Sequence, residues 1–182
     1  MIDSKQASEA LDEINEIARC VRQSTIYNLT SLMLIMWGVL VFAGNITSFL
    51  WPRTAGYVWF AVDAIGIAGS FAISALDYTR TRIRTFDIRM LVAFLLFLAF
   101  GIFCSWLGHF TSRQMGTFWP IYFMLVYAIA GLWVGYAFVA IGLGIAALTL
   151  IGYFFVGGWF EPWMAVVNGG GLILGGLWMR RS

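Results

Sequence analysis

The chain has 182 residues, of which 61% are hydrophobic, 18% aromatic and 11% charged. Soluble domains contain about 25% charged residues, and a soluble domain of this size still exposes roughly 30% of the surface of its unfolded chain. Such an apolar composition excludes a soluble enzyme, a nucleic-acid binder and a disordered chain, and it predicts an integral membrane protein. The net charge of +2 gives no reason to expect a polyanionic partner.

The chain begins with a polar leader that we assign to residues 1–25. Its apolar residues recur every three or four positions, which places them on one helical face. They are Ala7, Leu11, Ile14, Ala18 and Val21. We therefore predict an amphipathic cytoplasmic helix from about Ser4 to Ser24.

The leader is rich in acidic residues, which disfavour binding to an anionic lipid surface. We expect it to contact a basic loop further along the chain instead, as an electrostatic latch. The candidate latch joins Glu9, Glu13 and Glu16 of the leader to Arg80, Arg82 and Arg84 of that loop. The alternative is that these arginines only fix the topology and contact lipid phosphates.

Six apolar runs follow, and a helix of about 20 residues crosses the ~30 Å hydrocarbon core of a bilayer. The runs cover residues 27–51, 56–76, 88–110, 118–138, 139–156 and 159–179. The boundary between the fourth and fifth runs is the weakest, because residues 135–139 contain neither a charge nor a proline. Four or five spans with a re-entrant segment are the alternative. The predicted fold is an all-α, polytopic membrane helix bundle, with six transmembrane helices over 26–182 after the leader.

The basic residues divide unequally between the two sides of such a bundle. With a cytoplasmic N-terminus, nine of the eleven lysines and arginines lie inside, and only Arg53 and Arg113 lie outside. Cytoplasmic loops of membrane proteins carry this excess of positive charge. We therefore expect both termini to lie in the cytoplasm.

The two ends of the chain resemble a group of bacterial inner-membrane proteins to which no activity is assigned. The similarity lies in the leader and first span, Glu9-Ala10-Leu11-Asp12-Glu13-Ile14 through Leu34-Ile35-Met36-Trp37-Gly38, and in Ile141-Gly142-Leu143-Gly144 through Gly169-Gly170-Gly171-Leu172-Ile173-Leu174-Gly175-Gly176. The resemblance implies six spans, a cytoplasmic leader helix and a location in the bacterial inner membrane. It carries over no catalytic residue.

A few polar residues lie at one depth in the outer half of the predicted spans. Asp63 is the one carboxylate well inside a span, and an ionisable residue there is a functional-site hypothesis by default. The candidate binding layer consists of Asp63, Asn45, Asn168, Tyr127 and Ser105, with His109 and Glu161 at its mouth. The two interpretations are a pocket for a small polar ligand, proton or cation, and a network of hydrogen bonds between helices.

Small residues four positions apart let membrane helices approach closely. Such pairs occur at Gly131 and Gly135, Gly171 and Gly175, and Gly66 and Ser70. We expect them to serve packing within the chain, with a homo-oligomer interface as the alternative. The run Asn168-Gly169-Gly170-Gly171 also predicts a weak point at which the last helix bends.

These observations favour a non-enzymatic membrane protein that binds a ligand or a partner, as a sensor or an accessory subunit. The alternatives are a small oligomeric transporter or channel with a polar site around Asp63, and a membrane enzyme acting on a lipid or quinone. One histidine and two cysteines give no expectation of a metal, a haem or another cofactor. The expected partners are membrane lipids and either a second copy or another membrane protein, and no nucleic acid.

Overall fold

The computed structural model describes residues 4–81 and 88–181, which form helices joined by short turns with no strand among them. The helices are α1 (Ser4–Leu50), α2 (Ala55–Thr81), α3 (Ile88–Leu107), α4 (Ser112–Val134), α5 (Tyr136–Phe155), α6 (Phe160–Met164) and α7 (Gly171–Met179). A 3-10 turn, Pro52–Thr54, precedes α2, and a π-helical segment, Ala165–Gly170, joins α6 to α7. The expected all-α fold is confirmed for the described residues.

Four helical segments are long and apolar enough to cross a membrane. They are Asn28–Leu50, Pro52–Asp77, Ser112–Val134 and Tyr136–Phe155, and they correspond to the first, second, fourth and fifth predicted spans. The third predicted span contains a shorter apolar stretch, Leu91–Leu107. The last one is divided among α6, the π segment and α7, so the count of six spans stays a prediction.

The predicted leader and the first predicted span belong to one helix, because α1 continues without a break from Ser4 to Leu50. The predicted latch falls largely outside the described residues. Arg82 and Arg84 lie within 82–87, and only the backbone is described for Glu9, Glu16 and Arg80. Glu13 is exposed. The latch therefore stays a prediction.

The helices pack side by side in the order α2, α1, the segment that runs from α6 through the π segment to α7, then α5, α4 and α3. α1 contacts α2 on one side and the segment from α6 to α7 on the other, while α5 lies between that segment and α4. α2 makes its main helix contacts with α1, and α3 makes its main contacts with α4. The two end helices therefore leave large apolar side chains uncovered, such as Phe60 at 76% and Leu96 at 65% exposure.

α1 and the last helical segment approach each other at glycines. A Cβ atom placed on Gly169 would lie 2.5 Å from the Cβ of Phe42, and one on Gly38 would lie 2.8 Å from the carbonyl oxygen of Gly169. Closer to the other end of the contact, the Ser31 hydroxyl donates a hydrogen bond of 2.7 Å to the carbonyl oxygen of Gly176. The two backbones therefore lie closer together than larger side chains would allow.

α2 packs on α1 through an indole ring seated on a small residue. The ring of Trp37 lies so close to Gly66 that a Cβ there would overlap it. Trp37 Nε1 donates to Ser70 Oγ at 3.0 Å, and Ser70 Oγ donates to the Gly66 carbonyl oxygen at 2.8 Å. The small pair Gly66 and Ser70 thus serves packing within the chain.

α4 and α5 form a tight hairpin that turns at one residue, Gly135. Its φ of 153° and ψ of 155° lie in a region that glycine alone adopts readily. A Cβ on Gly131 would lie 2.6 Å from the backbone nitrogen of Val139, so the helices touch beside the turn. The predicted boundary between the fourth and fifth spans, after residue 138, was therefore wrong by several residues. Hydropathy gives no signal for this turn, whereas its backbone angles require glycine.

α4 also begins earlier than the predicted residue 118. Thr111 caps its N-terminus, since Thr111 Oγ1 accepts from the Gln114 backbone N–H while the Gln114 side chain accepts from the Thr111 N–H at 2.8 Å. This reciprocal pair is a capping box. Pro120, the third residue of the predicted run 118–138, consequently lies inside α4.

We expect Gly135→Ala to destabilise the protein by about 1–3 kcal/mol, because alanine cannot adopt the backbone angles of this turn without strain. Thermal unfolding in detergent measures the effect. Gly144→Ala is the matched control, because a Cβ on this helical glycine meets no atom within 4 Å and alanine favours helix. An unchanged midpoint in Gly135→Ala would contradict this account of the hairpin.

Candidate functional site

The residues of the predicted polar layer lie in separate contacts. Asn45 Nδ2 donates to the Val41 carbonyl oxygen at 2.8 Å, and Ser105 Oγ donates to the Gly101 carbonyl oxygen at 2.8 Å, each within its own helix. The ring of Tyr127 stacks on Phe138 with centroids 6.0 Å apart. Within the described parts of the chain, no hydrogen bond joins any two members of the layer. The structure thus does not assemble them into one pocket.

Asn168 occupies the centre of the bundle, in the π segment. It is 3% exposed, and its Nδ2 donates to the hydroxyl of the fully buried Thr149 on α5 at 3.4 Å. A second contact of 3.5 Å reaches the sulfur of Met164. The predicted weak point in the last helix therefore corresponds to a π segment, a rare conformation that is frequent at functional sites.

Asp63 lies on α2, eight residues after Ala55 and hence about 12 Å from the start of the helix. Unlike Asn45 and Asn168, it is exposed. Phe60 and Ile67 occupy the positions three before and four after it, and they are 76% and 41% exposed. Residues at this spacing share a helix face, so the carboxylate lies on a face of the bundle that the rest of the chain leaves uncovered.

The two residues predicted at the mouth of the site have local structural roles. His109 ends α3 with a φ of 46°, and the Phe110 and His109 N–H groups donate to the carbonyl oxygens of Ser105 and Trp106 at 3.3 Å each. This pattern is a Schellman motif, with His109 in the position that glycine usually takes. Glu161 lies in the first turn of α6, where a carboxylate interacts favourably with the helix dipole.

Sequence reasoning missed the role of Arg113, which it treated only as an outer charge. One guanidinium nitrogen of Arg113 donates to the carbonyl oxygens of Tyr153 at 2.8 Å and Gly152 at 3.3 Å, and also to that of Val156. The other donates to the Gly157 carbonyl oxygen at 3.4 Å. The side chain at the start of α4 therefore donates to carbonyl groups in the last turn of α5 and in the two residues that follow it.

The guanidinium of Arg113 also lies over two aromatic rings. Its central carbon is 4.9 Å from the ring centroid of Phe160 and 5.7 Å from that of Tyr153, within the range of cation–π attraction. Arg113 thus joins α4, α5 and α6 at one end of the bundle. The sequence shows only an isolated arginine, and Gly157 lies 44 residues further along the chain, so hydropathy gives no signal that joins the two.

An open, apolar groove of about 240 Å³ lies beside Arg113. It is lined by Phe110, Gln114, Thr117, Phe118 and Tyr153. None of the predicted site residues is among them. In the described part of the chain, no group of three or more His, Cys, Asp or Glu residues is arranged to hold a metal ion.

Comparison of the chain with protein-family models, with curated proteins and with solved structures gave no match. The resemblance to bacterial six-span proteins therefore stays a prediction. Two of the candidate residues lie in unusual positions for their type. The carboxylate of Asp63 is exposed on an apolar helix, and the amide of Asn168 is buried in the π segment.

Replacing Arg113 by glutamine should destabilise the protein by about 1–3 kcal/mol, because partly buried carbonyl groups at the end of α5 lose their donor. Thermal unfolding in detergent measures this loss. Arg53→Gln is the control, since Arg53 is an exposed arginine of a short turn. Equal midpoints for the two variants would contradict the assigned role of Arg113.

His109→Gly should raise the unfolding midpoint, because the left-handed conformation costs a residue with a side chain about 1 kcal/mol. His109→Val should lower it, since a β-branched residue tolerates that φ poorly. The order Gly above His above Val is expected in thermal unfolding. The reverse order would show that the imidazole itself makes a contact that stabilises the fold.

Proposed function

We propose that the protein is a non-enzymatic, multi-pass protein of the bacterial inner membrane that binds another polypeptide within the bilayer, as a sensor or an accessory subunit. The observation that carries this proposal is the position of Asp63. The residue lies in an apolar segment long enough to cross a membrane, and it is on the uncovered side of that segment.

A carboxyl group facing lipid is costly. Insertion scales give about 2.5–3.5 kcal/mol for a charged residue at the centre of a membrane helix, and such residues almost always face a protein interior or a water-filled cavity. Asp63 faces neither within this chain. A second polypeptide against α2 supplies the missing polar environment and also covers the exposed ring of Phe60.

The lengths of the remaining helices support six spans with both termini in the cytoplasm. α3 has 20 residues, and α6, the π segment and α7 together run from Phe160 to Met179. A helix of about 20 residues is some 30 Å long and matches the hydrocarbon core. With six crossings, Arg180 and Arg181 lie on the same side as the leader, as the positive-inside rule requires.

An oligomeric transporter or channel is the second candidate. The observation that favours it is the π segment around the buried Asn168, because interrupted helices line substrate sites in many transporters. In this candidate, Asp63 faces a water-filled space between copies. The distinction between the two functions is therefore whether protein or water covers the carboxylate.

A photoreactive benzoylphenylalanine at position 60 tests the proposed function in native membranes. We expect irradiation to join the protein to a polypeptide, because position 60 lies beside Asp63 on the uncovered face. The same probe at Ile65 is the control, since Ile65 is 57% exposed but lies on a different side of α2.

Two results would overturn the proposed function. One is that the probe at position 60 joins only to lipid. The other is that Asp63→Cys, in a chain whose Cys20 and Cys104 are replaced by serine, reacts in intact membranes with a water-soluble maleimide. The second result would instead support the transporter.

A further inference from the structure

We propose that the groove beside Arg113 binds one phospholipid, with the lipid phosphate at the guanidinium and one acyl chain in the groove. The groove lies between the end of α3, the start of α4 and the end of α5. Asp63 lies on α2, so this inference does not rest on the proposed function, and each can fail without the other.

Arg113 carries a positive charge that the described part of the chain does not neutralise. The acceptors of its hydrogen bonds are backbone carbonyl oxygens, and no carboxylate in that part, Glu161 included, forms an ion pair with it. A guanidinium has five N–H donors, and the bonds described use only its two terminal nitrogens, so the Nε–H stays available. A phosphate is the anion whose geometry a guanidinium matches well.

Gln114 supplies a second donor at the groove. Its Oε1 accepts from the Thr111 N–H at 2.8 Å and from Thr111 Oγ1 at 3.0 Å, which fixes the amide. Its Nε2 donates to no acceptor in the described part of the chain, and Gln114 lines the groove. The amide can therefore donate to a phosphate or ester oxygen of a lipid.

Aromatic rings form the apolar part of the groove. The rings of Phe110 and Phe118 meet with centroids 5.3 Å apart, and the Arg113 guanidinium carbon lies 5.7 Å from the ring centroid of Tyr153. The volume of about 240 Å³ is below the roughly 300–1,000 Å³ of pockets that enclose a small ligand. An open groove of this size suits an acyl chain that lies along the surface of the protein.

The charge and the rings lie at the depths that the parts of a phospholipid occupy. α4 has 23 residues and is about 35 Å long, which exceeds the ~30 Å hydrocarbon core. Its first turn, with Arg113, therefore reaches the headgroup region when α4 crosses a membrane. Phe118 is six residues after Ser112, about 9 Å further in, at the level of the acyl chains.

The alternative occupants each match only half of this arrangement. A water-soluble anion at Arg113 would leave the rings of Phe110 and Phe118 uncovered. An apolar helix in the groove would cover the rings and leave the guanidinium without an anion. A phospholipid supplies both groups in one molecule, in the order in which the protein presents their partners.

Native mass spectrometry tests this site with protein released from vesicles of equal parts phosphatidylglycerol and phosphatidylcholine. We expect one retained lipid per chain, with phosphatidylglycerol preferred because its headgroup carries no cation that repels Arg113. The masses of the two lipids distinguish them directly.

Gln114→Glu should lower the fraction of chains that retain phosphatidylglycerol by about tenfold, as expected for loss of a hydrogen bond to a charged group. The glutamate still accepts from the Thr111 N–H, as it does in other capping boxes, so the helix end is preserved while its charge repels the phosphate. Arg53→Gln is the matched control. It changes the net charge by the same one unit at an exposed turn, and Arg53 does not line the groove.

A second measurement uses the native sequence and keeps the test decisive if Gln114→Glu does not fold. Phosphatidylglycerol with a photoreactive diazirine on its acyl chain is irradiated in vesicles, and the labelled residues are mapped. We expect the label to concentrate on Phe110, Phe118 and Tyr153, compared with the exposed Leu125 and Ile129 further along α4.

Three results would overturn the lipid site. One is equal retention of phosphatidylglycerol and phosphatidylcholine by the native sequence, with the label spread evenly over the exposed faces. Another is an equal effect, or no effect, of Gln114→Glu and Arg53→Gln on retention. The third is a polypeptide adduct of benzoylphenylalanine placed at position 118 in native membranes, which would show that protein fills the groove.

Discussion

The close contact between α1 and the last helical segment determines the arrangement of all other helices. Gly38, Gly169 and Gly176 let the two backbones approach so closely that side chains at these positions would overlap the neighbouring helix. With α1 held there, α2 has only the far side of α1 to pack against, and α5 takes the other side of the pair. The array therefore ends in α2 and α3, and the face of α2 that carries Asp63 remains open.

Several polar groups in the described helices have partners within the chain. The hydroxyls of Ser70 and Ser105 donate to carbonyl oxygens of their own turn, and Arg113 donates to the Tyr153 carbonyl oxygen at the end of α5. Asn168 pairs with Thr149 inside the bundle. Asp63 differs from these groups because it lies on the uncovered side of its helix. This contrast is why the proposed function is centred on Asp63 rather than on the buried amides.

The sequence predicted what depends on composition and on local backbone chemistry. The first span was expected over residues 27–51, and the apolar segment is Asn28–Leu50. The weak point expected at residues 168–171 overlaps the π segment, Ala165–Gly170. The turn at Gly135 was missed because it depends on backbone angles, which hydropathy does not report. The capping role of Arg113 was missed because it depends on backbone carbonyl groups of a helix that is distant in the sequence. The exposure of Asp63 was missed for another reason: α2 is apolar on all sides, so no periodicity indicates which side faces α1.

Native mass spectrometry of the protein released from lipid vesicles tests the central claim, that protein covers Asp63. The account predicts, for the native sequence, the mass of the chain with a second polypeptide attached and, for Asp63→Leu, the mass of one chain alone, both with unchanged helical content. A single chain at all protein densities for the native sequence, with no other polypeptide attached, would contradict it.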